Sequence, residues 1–473
     1  MNKLIVKNIF YLILVSVLLI LYWPSLNGTA IWDDSSFLFE SKFTQSHFPY
    51  FDIWKDFNWP VSVTIHKIIL SSFGQNFLIF HIINLALHLI NSILLFNLLN
   101  KFKISYAKWL TILFIFHPAN VISVAWMIQL KTLLCFFFSI LTLHFFNDSK
   151  EKKLSYILSL LFFILSLLSK SASICLPVAI IFFQLKTNHH QKQYLKVIPF
   201  FIVSLLASYR LLKSPVTIES TQSLKNQTSF LKGHLTDKKL LPPPAKEVIK
   251  NNQSIHFEID KKMDYILGTS HYYFWQVFIP QKNSPIKEAE VPPYQPLYYL
   301  HLFFLILLFV IFWKKNSFYY ILAGYSMLLP FSGIIPAPFM NLTWVSDQHL
   351  YLVIPLFLAF MFEIGLTIRS KSPTFITFLL IPFFIYKVYE AIPAYENEIA
   401  FYESSINYDP LNLPIGYNLA MSYLKKNDLN SAVNIVEHFI HMSEVVPALK
   451  KNRYFPEMFL LYLRLKPHEE KIK

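Results

Sequence analysis

The feature that most constrains this chain is a series of long apolar runs separated by polar connections. Eleven runs are long enough, or nearly long enough, to cross a bilayer: 4–23, 77–99, 105–117, 119–146, 154–169, 172–186, 195–212, 297–313, 317–336, 349–369 and 373–390. A helix of about 20 apolar residues spans the hydrocarbon core, and shorter spans imply tilt or a thinner membrane. Charged residues make up 15% of the 473 residues, against about 25% in soluble domains. The sequence predicts an all-α integral membrane protein with about eleven transmembrane helices.

Basic residues predict the side of the membrane on which each connection lies. They fall in alternate connections, at Lys3, Lys7, Lys101, Lys103, Lys108, Lys150, Lys152, Lys153, Lys186, Lys192, Lys196, Lys314, Lys315, Arg369 and Lys371. Cytoplasmic loops are enriched in Lys and Arg, so this pattern predicts a cytoplasmic N-terminus and an external C-terminus. The loops 24–76 and 214–296 are then external. The first run has no small-residue cleavage site and is expected to stay as an anchor.

The net charge of +14 could indicate a nucleic-acid partner, but the chain carries no nucleic-acid-binding motif. Cytoplasmic lysines and attraction to anionic lipid account for such a charge in a membrane protein. The expected host membrane is a bacterial inner membrane with the C-terminus in the periplasm. In a eukaryote it would be the endoplasmic reticulum, where Asn27-Gly-Thr and Asn341-Leu-Thr would be external glycosylation sequons.

After residue 390 the sequence becomes polar and amphipathic, which divides the chain into a membrane part, 1–390, and a tail, 391–473. Residues 413–444 carry Leu419, Ala420, Tyr423 and Ala432 at the offsets of a tetratricopeptide repeat, a helical hairpin of about 34 residues. Gly416 replaces the usual bulky residue of that repeat, and Phe439 replaces a small one. A single repeat cannot form a solenoid, so we expect a small helical cap docked on the membrane part.

Two adjacent carboxylates, Asp33 and Asp34, follow the first apolar run. Two neighbouring acids repel each other and are unfavourable near hydrocarbon, which suggests a function. A solvated turn is the alternative, and the dipeptide alone does not decide between them.

Polar residues also recur at helical spacing inside two apolar runs. One set is His81, Asn84, His88 and Asn91, and the other is Asn120, Ser123, Met127 and Lys131. Each set should face the protein interior or a wet cavity, because polar groups are costly in hydrocarbon. Hydrogen bonds between helices explain such stripes without a substrate, and we favour this for His88 and Asn91. For Lys131 we favour binding of an anion such as a lipid phosphate, with a salt bridge or snorkelling as the alternative.

Several further charged groups fall on the predicted external side. They are Lys170 between two short runs, Arg210 near the end of the seventh, and Asp347 with His349 at the start of the tenth. With the acid pair they suit a surface reaction in which a carboxylate activates a nucleophile and cations stabilise a leaving phosphate. Interface anchoring is the simpler explanation for Lys170 and Arg210. The histidines form no metal-binding pattern, and no P-loop, GxSxG or dinucleotide-binding motif occurs.

Five stretches resemble signatures of one known family. Trp32-Asp33-Asp34 looks like the acidic loop motif of the multi-span C-type glycosyltransferases, which use lipid-linked sugar donors. The other stretches are similar to motifs of the O-mannosyltransferase-like proteins with C-terminal tetratricopeptide repeats: Phe80-His81-Ile82-Ile83-Asn84-Leu85-Ala86-Leu87-His88, the segment from Phe116-His117-Pro118 to Trp126, Leu168-Ser169-Lys170 with Leu176-Pro177, and Ser346-Asp347-Gln348-His349-Leu350-Tyr351-Leu352. Their order and spacing agree over nearly the whole chain.

This resemblance implies the C-type fold and transfer of a sugar from a polyprenyl-phosphate donor to a hydroxyl of a protein or glycolipid. One of Asp33 and Asp34 would be the base that deprotonates the acceptor, and the other would orient it. Phosphate-binding and site-lining roles would fall to Lys131, Lys170, Arg210, Asp347, His349, His81 and His117. No cofactor is required, since the lipid-linked sugar is itself the donor, and dependence on a divalent metal stays open.

Three positions depart from the family pattern. Asn58-Trp59-Pro60 stands where the family usually has Tyr-Arg-Pro, Leu130-Lys131-Thr132 where it often has Arg-Lys-Asp, and Asp347-Gln348-His349 where it has Asp-Arg-Tyr. Three positive charges and one acid are therefore missing. The alternative function is a catalytically inactive relative, a membrane-anchored binding or assembly protein that recruits a protein partner through its tail. A transporter is less favoured, because no inverted repeat or pair of broken helices is evident in the sequence.

Overall fold

The structure is a computed structural model. It describes residues 3–149, 152–186, 191–213, 259–281, 284–287, 295–313, 315, 317–334, 338–341, 343–369, 371–452 and 454–469. Every regular element in these residues is a helix, which confirms the all-α prediction. Most of the loop predicted at 214–296 lies outside the described residues.

The helices described are α1 (Lys3–Leu26), α2 (Tyr50–Asp56), α3 (Pro60–Phe73), α4 (Phe77–Lys101), α5 (Ala107–Ile115), α6 (Val121–Ala125), α7 (Leu130–Asp148), α8 (Lys153–Ser169), α9 (Leu176–Lys186), α10 (Ile198–Lys213), α11 (Ile259–Phe278), α12 (Gln295–Phe312), α13 (Phe318–Leu328), α14 (Ile354–Ile368), α15 (Ser372–Ala391), α16 (Glu398–Tyr408), α17 (Leu413–Lys425), α18 (Leu429–Val445) and α19 (Phe455–Glu469). Short 3₁₀ segments join several of them, and Ser35–Phe39 forms a turn of π-helix.

Several of these helices are long and apolar enough to cross a membrane. In the described residues five meet this description: Phe77–Lys101, Met127–Asp148, Tyr194–Leu211, Gln295–Phe312 and Ser372–Tyr395. A sixth span results if Ala107–Ile115 and Pro118–Ala125, which meet at 53°, are counted as one. Other predicted runs form shorter apolar helices of 10–17 residues, among them Lys153–Ser169 and Ile354–Ile368. The count of eleven spans therefore stays a prediction.

Between residues 116 and 130 the structure differs from the single long helix that was predicted for the run 119–146. The run 119–146 is divided at Trp126, whose φ of −89° and ψ of 119° are extended, and a 3₁₀ turn, Met127–Gln129, precedes α7. An extended residue interrupts the helical hydrogen-bond ladder, so nearby backbone N–H groups become available to other partners. One of them, that of Ile128, is used in the site described below.

The tail is a set of short helices packed on the membrane part. Phe401 and Tyr402 of α16 belong to the same hydrophobic core as Tyr22 of α1 and Trp126. Helices α17 and α18 pair as a hairpin whose own core includes Leu413, Ala420, Ala432 and Phe439. The docking predicted for the tail is present, and it brings α16 against the loop that follows α1.

The helical hairpin α17–α18 explains two of the odd residues of the sequence. A Cβ atom on Gly416 would lie 1.9 Å from Cε2 of Phe439, so the phenyl ring occupies the space that a side chain at 416 would need. The small residue at 416 and the large one at 439 therefore compensate each other in the contact between the two helices.

Candidate functional site around the adjacent carboxylates

The loop that carries the acid pair is fixed at its start by the tail. The Thr29 N–H donates to the Glu396 carbonyl at 2.8 Å, and a Cβ atom on Gly28 would come within 2.8 Å of that same oxygen. Only glycine permits so close an approach of two backbones. The acid loop and the start of α16 are thus held together.

Trp32, directly before the acids, has a φ of +42°, which is unusual for a residue with a bulky side chain. Its indole stacks on Trp126 with ring centroids 6.1 Å apart and meets the edge of Phe401 at 5.5 Å. A left-handed backbone at a bulky residue costs of order 1–3 kcal/mol and persists only where packing enforces it. These aromatic contacts supply that packing, and they fix the backbone from which the Asp33 and Asp34 side chains extend.

Asp34 is an anchor inside the protein. Its side chain is fully buried, Oδ2 accepts a hydrogen bond from the Ile31 N–H at 3.1 Å, and Oδ1 accepts one from the Ile128 N–H at 3.0 Å. The second donor exists because the helix breaks at Trp126. Burial, reinforced by the neighbouring Asp33 and opposed by these two donors, raises the pKa of Asp34 to about 8.

Asp33 has different surroundings. Its side chain is partly exposed, and its carboxylate makes no hydrogen bond with the residues that the structure describes. Removal from bulk water raises the pKa of Asp33 to about 6, against the opposing effect of the nearby Lys131 ammonium. Two adjacent carboxyl groups whose environments separate their pKa values in this way suit an acid–base division of roles. At neutral pH Asp33 is the ionised member of the pair.

Lys131, at the start of α7, is the cation that faces the acids. Its Nζ lies over the rings of Trp59 and Phe37, at 4.8 Å and 5.6 Å from the centroids. No carboxylate of the described residues lies within 4.0 Å of it. Aromatic faces stabilise an ammonium only modestly, so this cation is free to pair with an incoming anion.

Several buried polar atoms around this cluster have no hydrogen-bond partner among the described residues. They are Nε1 of Trp59, Nε1 of Trp126 and Nε2 of His66. Indole Nε1–H is a donor only, and burial lowers the pKa of His66 to about 3, so the imidazole is neutral. Orphaned buried donors need an explanation, and water or a ligand with oxygen acceptors would satisfy them.

Lys170 lies in the same region, but its ammonium already donates hydrogen bonds to neighbouring side chains. The ammonium donates to Thr132 Oγ1 at 2.7 Å, Gln348 Oε1 at 3.0 Å and Gln129 Oε1 at 3.4 Å, and the side chain is 7% exposed. Burial, together with the charge of Lys131, holds its pKa well below the ordinary value. A lysine surrounded by neutral acceptors positions these side chains more than it attracts an anion.

Asp347 and His349 form a second polar cluster on the 3₁₀ turn Asp347–Leu350. Asp347 accepts hydrogen bonds from Tyr272 at 2.5 Å and Gln276 at 3.2 Å, and pairs with the buried Lys287 at 3.7 Å. His349 bonds Tyr273 through Nδ1 at 3.1 Å and stacks on a phenyl ring at 3.7 Å. Gln348, the residue before His349, accepts a hydrogen bond from Lys170 at 3.0 Å, so this turn lies beside that lysine.

Two predicted site residues contact the backbone instead. His117 Nε2 donates to the Val277 carbonyl at 2.9 Å, and Nδ1 accepts from Ala119 N–H at 3.2 Å. Arg210 Nη2 donates to the carbonyls of Trp54, Lys55 and Phe57, which fastens α2 to the end of α10. The structure brings together Asp33, Asp34, Lys131, Lys170 and His349, with His81 alongside, and assigns His117 and Arg210 to structural contacts.

The hydrogen bonding between helices that was predicted for His88 and Asn91 is present. His88 bonds the Tyr351 hydroxyl at 2.6 Å and the Ile115 carbonyl at 3.1 Å, and Asn91 donates to the Leu133 carbonyl at 3.0 Å. All four residues of the stripe are buried, as the spacing predicted.

The positions that depart from the family pattern meet in space. Trp59 covers Lys131, while Thr132 and Gln348 both accept hydrogen bonds from Lys170. Where charged groups were expected, this chain has neutral ones in contact with its two lysines. Neutral residues at these positions change the charge of the cluster, but Thr132 and Gln348 still hydrogen-bond with Lys170.

No role in the site was predicted from the sequence for His66, Lys287 or Tyr272. His66 lies on α3, inside a loop for which no helix was predicted, and Lys287 lies in a long polar loop with many lysines. Their roles depend on which segments meet, and local patterns carry no such signal. Among the described residues, no group of three or more His, Cys, Asp or Glu side chains could hold a metal ion.

Comparisons of the chain with protein-family models, curated proteins and solved structures give no match.

Proposed function

We propose that this protein is a membrane glycosyltransferase that moves a sugar from a polyprenyl-phosphate donor to a hydroxyl acceptor. The observation that carries the proposal is the unequal acid pair. Asp34 is held by two backbone donors, whereas Asp33 has no hydrogen bond from the described residues and faces Lys131. Such a transfer needs a base, a cation and N–H donors, and in the described part of the chain Asp33, Lys131 and the two indole groups are available for these roles.

In the proposed reaction Asp33 accepts the proton of the acceptor hydroxyl as its oxygen attacks the anomeric carbon. The bond from that carbon to the phosphate oxygen breaks, and polyprenyl phosphate leaves with inversion at the sugar. Lys131 and the indole N–H groups of Trp59 and Trp126 stabilise the charge that develops on the leaving phosphate. Asp34 orients the loop, and Lys170 holds Thr132, Gln129 and Gln348 in place. The donor itself needs no further cofactor.

The proposal includes the finer architecture of the C-type fold: eleven spans, an external site and an external tail related to tetratricopeptide repeats. The shorter apolar helices would complete the count of spans by tilting. In a bacterium the site would face the periplasm, and in a eukaryote the lumen of the endoplasmic reticulum. The acceptor would be a protein Ser or Thr or a glycolipid.

The test is glycan transfer by purified protein in liposomes that contain a polyprenyl-phosphate sugar. Asp33→Asn should abolish transfer while leaving folding intact, because that side chain makes no hydrogen bond with any residue that the structure describes. Asp56→Asn, at an exposed position of α2, is the matched control and should transfer normally. Full activity of Asp33→Asn would refute the proposal.

A second candidate is a binding or assembly protein without transferase activity. It is favoured by the neutral partners of Lys170 and by the neutral residues Trp59, Thr132 and Gln348 at positions where the related family carries charge. Such a protein would bind polyprenyl phosphate without transferring a sugar, and a partner would co-purify with the full chain but not with a chain lacking residues 391–473. That pair of results in wild-type protein would replace the leading proposal.

A further inference from the structure

A cavity of about 200 Å³ lies in the bundle away from the acid pair. Helices α4, α7, α9 and α14 form most of its wall, and the lining is almost wholly apolar, with Leu98, Phe136, Ile140, Ile180 and Leu356 among the side chains that face it. None of the residues assigned to the acid site lines this cavity. It is therefore a separate feature of the molecule.

The exposure of its lining shows where the cavity opens. Phe136, Leu176 and Leu352 at its inner end are buried, whereas Asn147 and Lys186 are partly exposed. The partly exposed residues lie at the C-terminal ends of α7 and α9. At the same end of the bundle Lys101, the last residue of α4, pairs with Asp148 at 2.7 Å. The opening is thus at the charged end of the bundle, opposite the end of α4 that carries His81.

The opening also has polar groups suited to a lipid headgroup. The Lys186 ammonium contacts the Tyr320 hydroxyl and lies 3.4 Å from Glu363, and the Asn147 side chain lines the same rim. An amide, an ammonium and a phenol together can bind the ester and phosphate oxygens of a phospholipid. Phe102 and Phe183 stack at the rim with centroids 6.2 Å apart and supply an apolar edge below the polar groups.

We propose that this cavity holds the upper part of one acyl chain of a membrane glycerophospholipid, whose headgroup lies against Asn147, Lys186 and Tyr320. An apolar cavity of about 150 Å³ stays dry and admits a molecule the size of benzene, so this one admits a short length of hydrocarbon. Its volume is too small for a long, branched polyprenyl chain. Because α4 and α7 are long and apolar enough to span a membrane, the surrounding bilayer would supply the ligand.

The experiment uses full-length protein in liposomes that contain a glycerophospholipid with a diazirine in the upper part of one acyl chain. After irradiation, mass spectrometry of the peptides should find adducts on the inner wall, at residues such as Ile140, Ile180 and Met327. Adducts confined to outward-facing residues, such as Leu300 and Phe303 of α12, would overturn the proposal. So would labelling of the inner wall by a photoactivatable polyprenyl phosphate in place of the phospholipid.

Cavity-filling variants give a second readout. Ala179→Phe and Ala359→Phe each place a ring in the cavity and should lower inner-wall labelling several-fold. Leu300→Phe, on the exposed face of α12, is the control and should label as wild type. Monodispersity in size-exclusion chromatography checks that each variant is folded. Unchanged inner-wall labelling in both folded filling variants would contradict the assignment.

Discussion

Asp33 and Asp34 are adjacent, but only Asp34 is buried and has the hydrogen-bond donors that a buried carboxylate needs. Asp34 receives two backbone N–H groups, one from its own loop and one from the break before α7. Asp33 has no such donors in the described residues and remains partly exposed. The sequence predicted the pair as a unit, but it could not assign separate roles, because the second donor comes from a residue 94 positions away.

The two acids should therefore differ in their effect on stability. Asp34→Asn replaces one acceptor oxygen by an NH₂ group that faces a backbone N–H, and we expect a loss of about 1–3 kcal/mol. Asp33→Asn removes no hydrogen bond of this kind and should cost less than about 1 kcal/mol. Thermal unfolding of the detergent-purified variants, followed by tryptophan fluorescence, checks this difference. Equal destabilisation by the two substitutions would contradict the anchor role of Asp34.

The raised pKa of Asp33, about 6, predicts the pH dependence of transfer. A general base acts in its ionised form, so transfer should fall as the pH drops below about 6. Because Lys131 lowers this pKa, Lys131→Met should move the midpoint to higher pH in addition to reducing the rate. Initial rates measured on either side of pH 6 test both effects. A midpoint that Lys131→Met leaves unchanged would mean that Asp33 is not the titrating base.

At the scale of helices, the sequence predicted which runs are helical better than it predicted where they break. Apolar length identified α4, α7 and α15, because the period and composition of a run are local properties. The break at Trp126 was not predicted, since no Pro or Gly stands there and its backbone is held by contacts with Trp32 and Phe401. Distant contacts override local helix propensity at this position.

The exchange between Gly416 and Phe439 predicts strong coupling between helices α17 and α18. Phe439→Ala alone leaves a cavity and should destabilise the tail by about 3–5 kcal/mol. Gly416→Leu alone clashes with the ring, whereas the double variant should recover part of the loss because the leucine fills the space. Protease resistance of the tail in the full-length protein measures each case. Additive losses in the double variant would show that the two residues do not compensate.

The ion pair between Lys287 and Asp347 connects the site to the tail, since Lys287 Nζ also lies 5.0 Å from the ring of Tyr408 on α16. Lys287→Met leaves a buried carboxylate without its cation and should cost about 3–5 kcal/mol. Adding Asp347→Asn removes the unpaired charge and should restore part of the stability. Thermal unfolding of the single and double variants provides the test. No recovery in the double variant would argue against a functional ion pair.

At the scale of the whole molecule, the contact between the acid loop and the tail restricts the topology. The Thr29 N–H donates to the Glu396 carbonyl, and Trp32 packs on Phe401, so the tail and Asp33 lie at the same end of the helix bundle. Lys103, beyond the far end of α4, lies at the opposite end of the bundle. The alternation of lysines predicted this arrangement, and the contacts provide an independent reason to expect it.

Cysteine labelling in sealed vesicles tests this topology. Lys426→Cys in the tail and Lys103→Cys near the far end of α4 are both exposed and should react with a membrane-impermeant maleimide from opposite sides. The native Cys135 is buried and Cys175 is partly buried, so the parent chain serves as the background control. Labelling of both introduced cysteines from one side would exclude the proposed arrangement of spans.

The break at Trp126 has a consequence for how this protein can change over evolutionary time. The donor that holds Asp34 is the main chain of Ile128, so core packing, and not this hydrogen bond, restricts the side chain at that position. Proline is the exception, because it has no N–H to donate. The sequence therefore identifies Asp34, but it does not identify the backbone N–H that donates to it. A comparison of residue identities among relatives would detect Asp34 and would not detect its backbone donor.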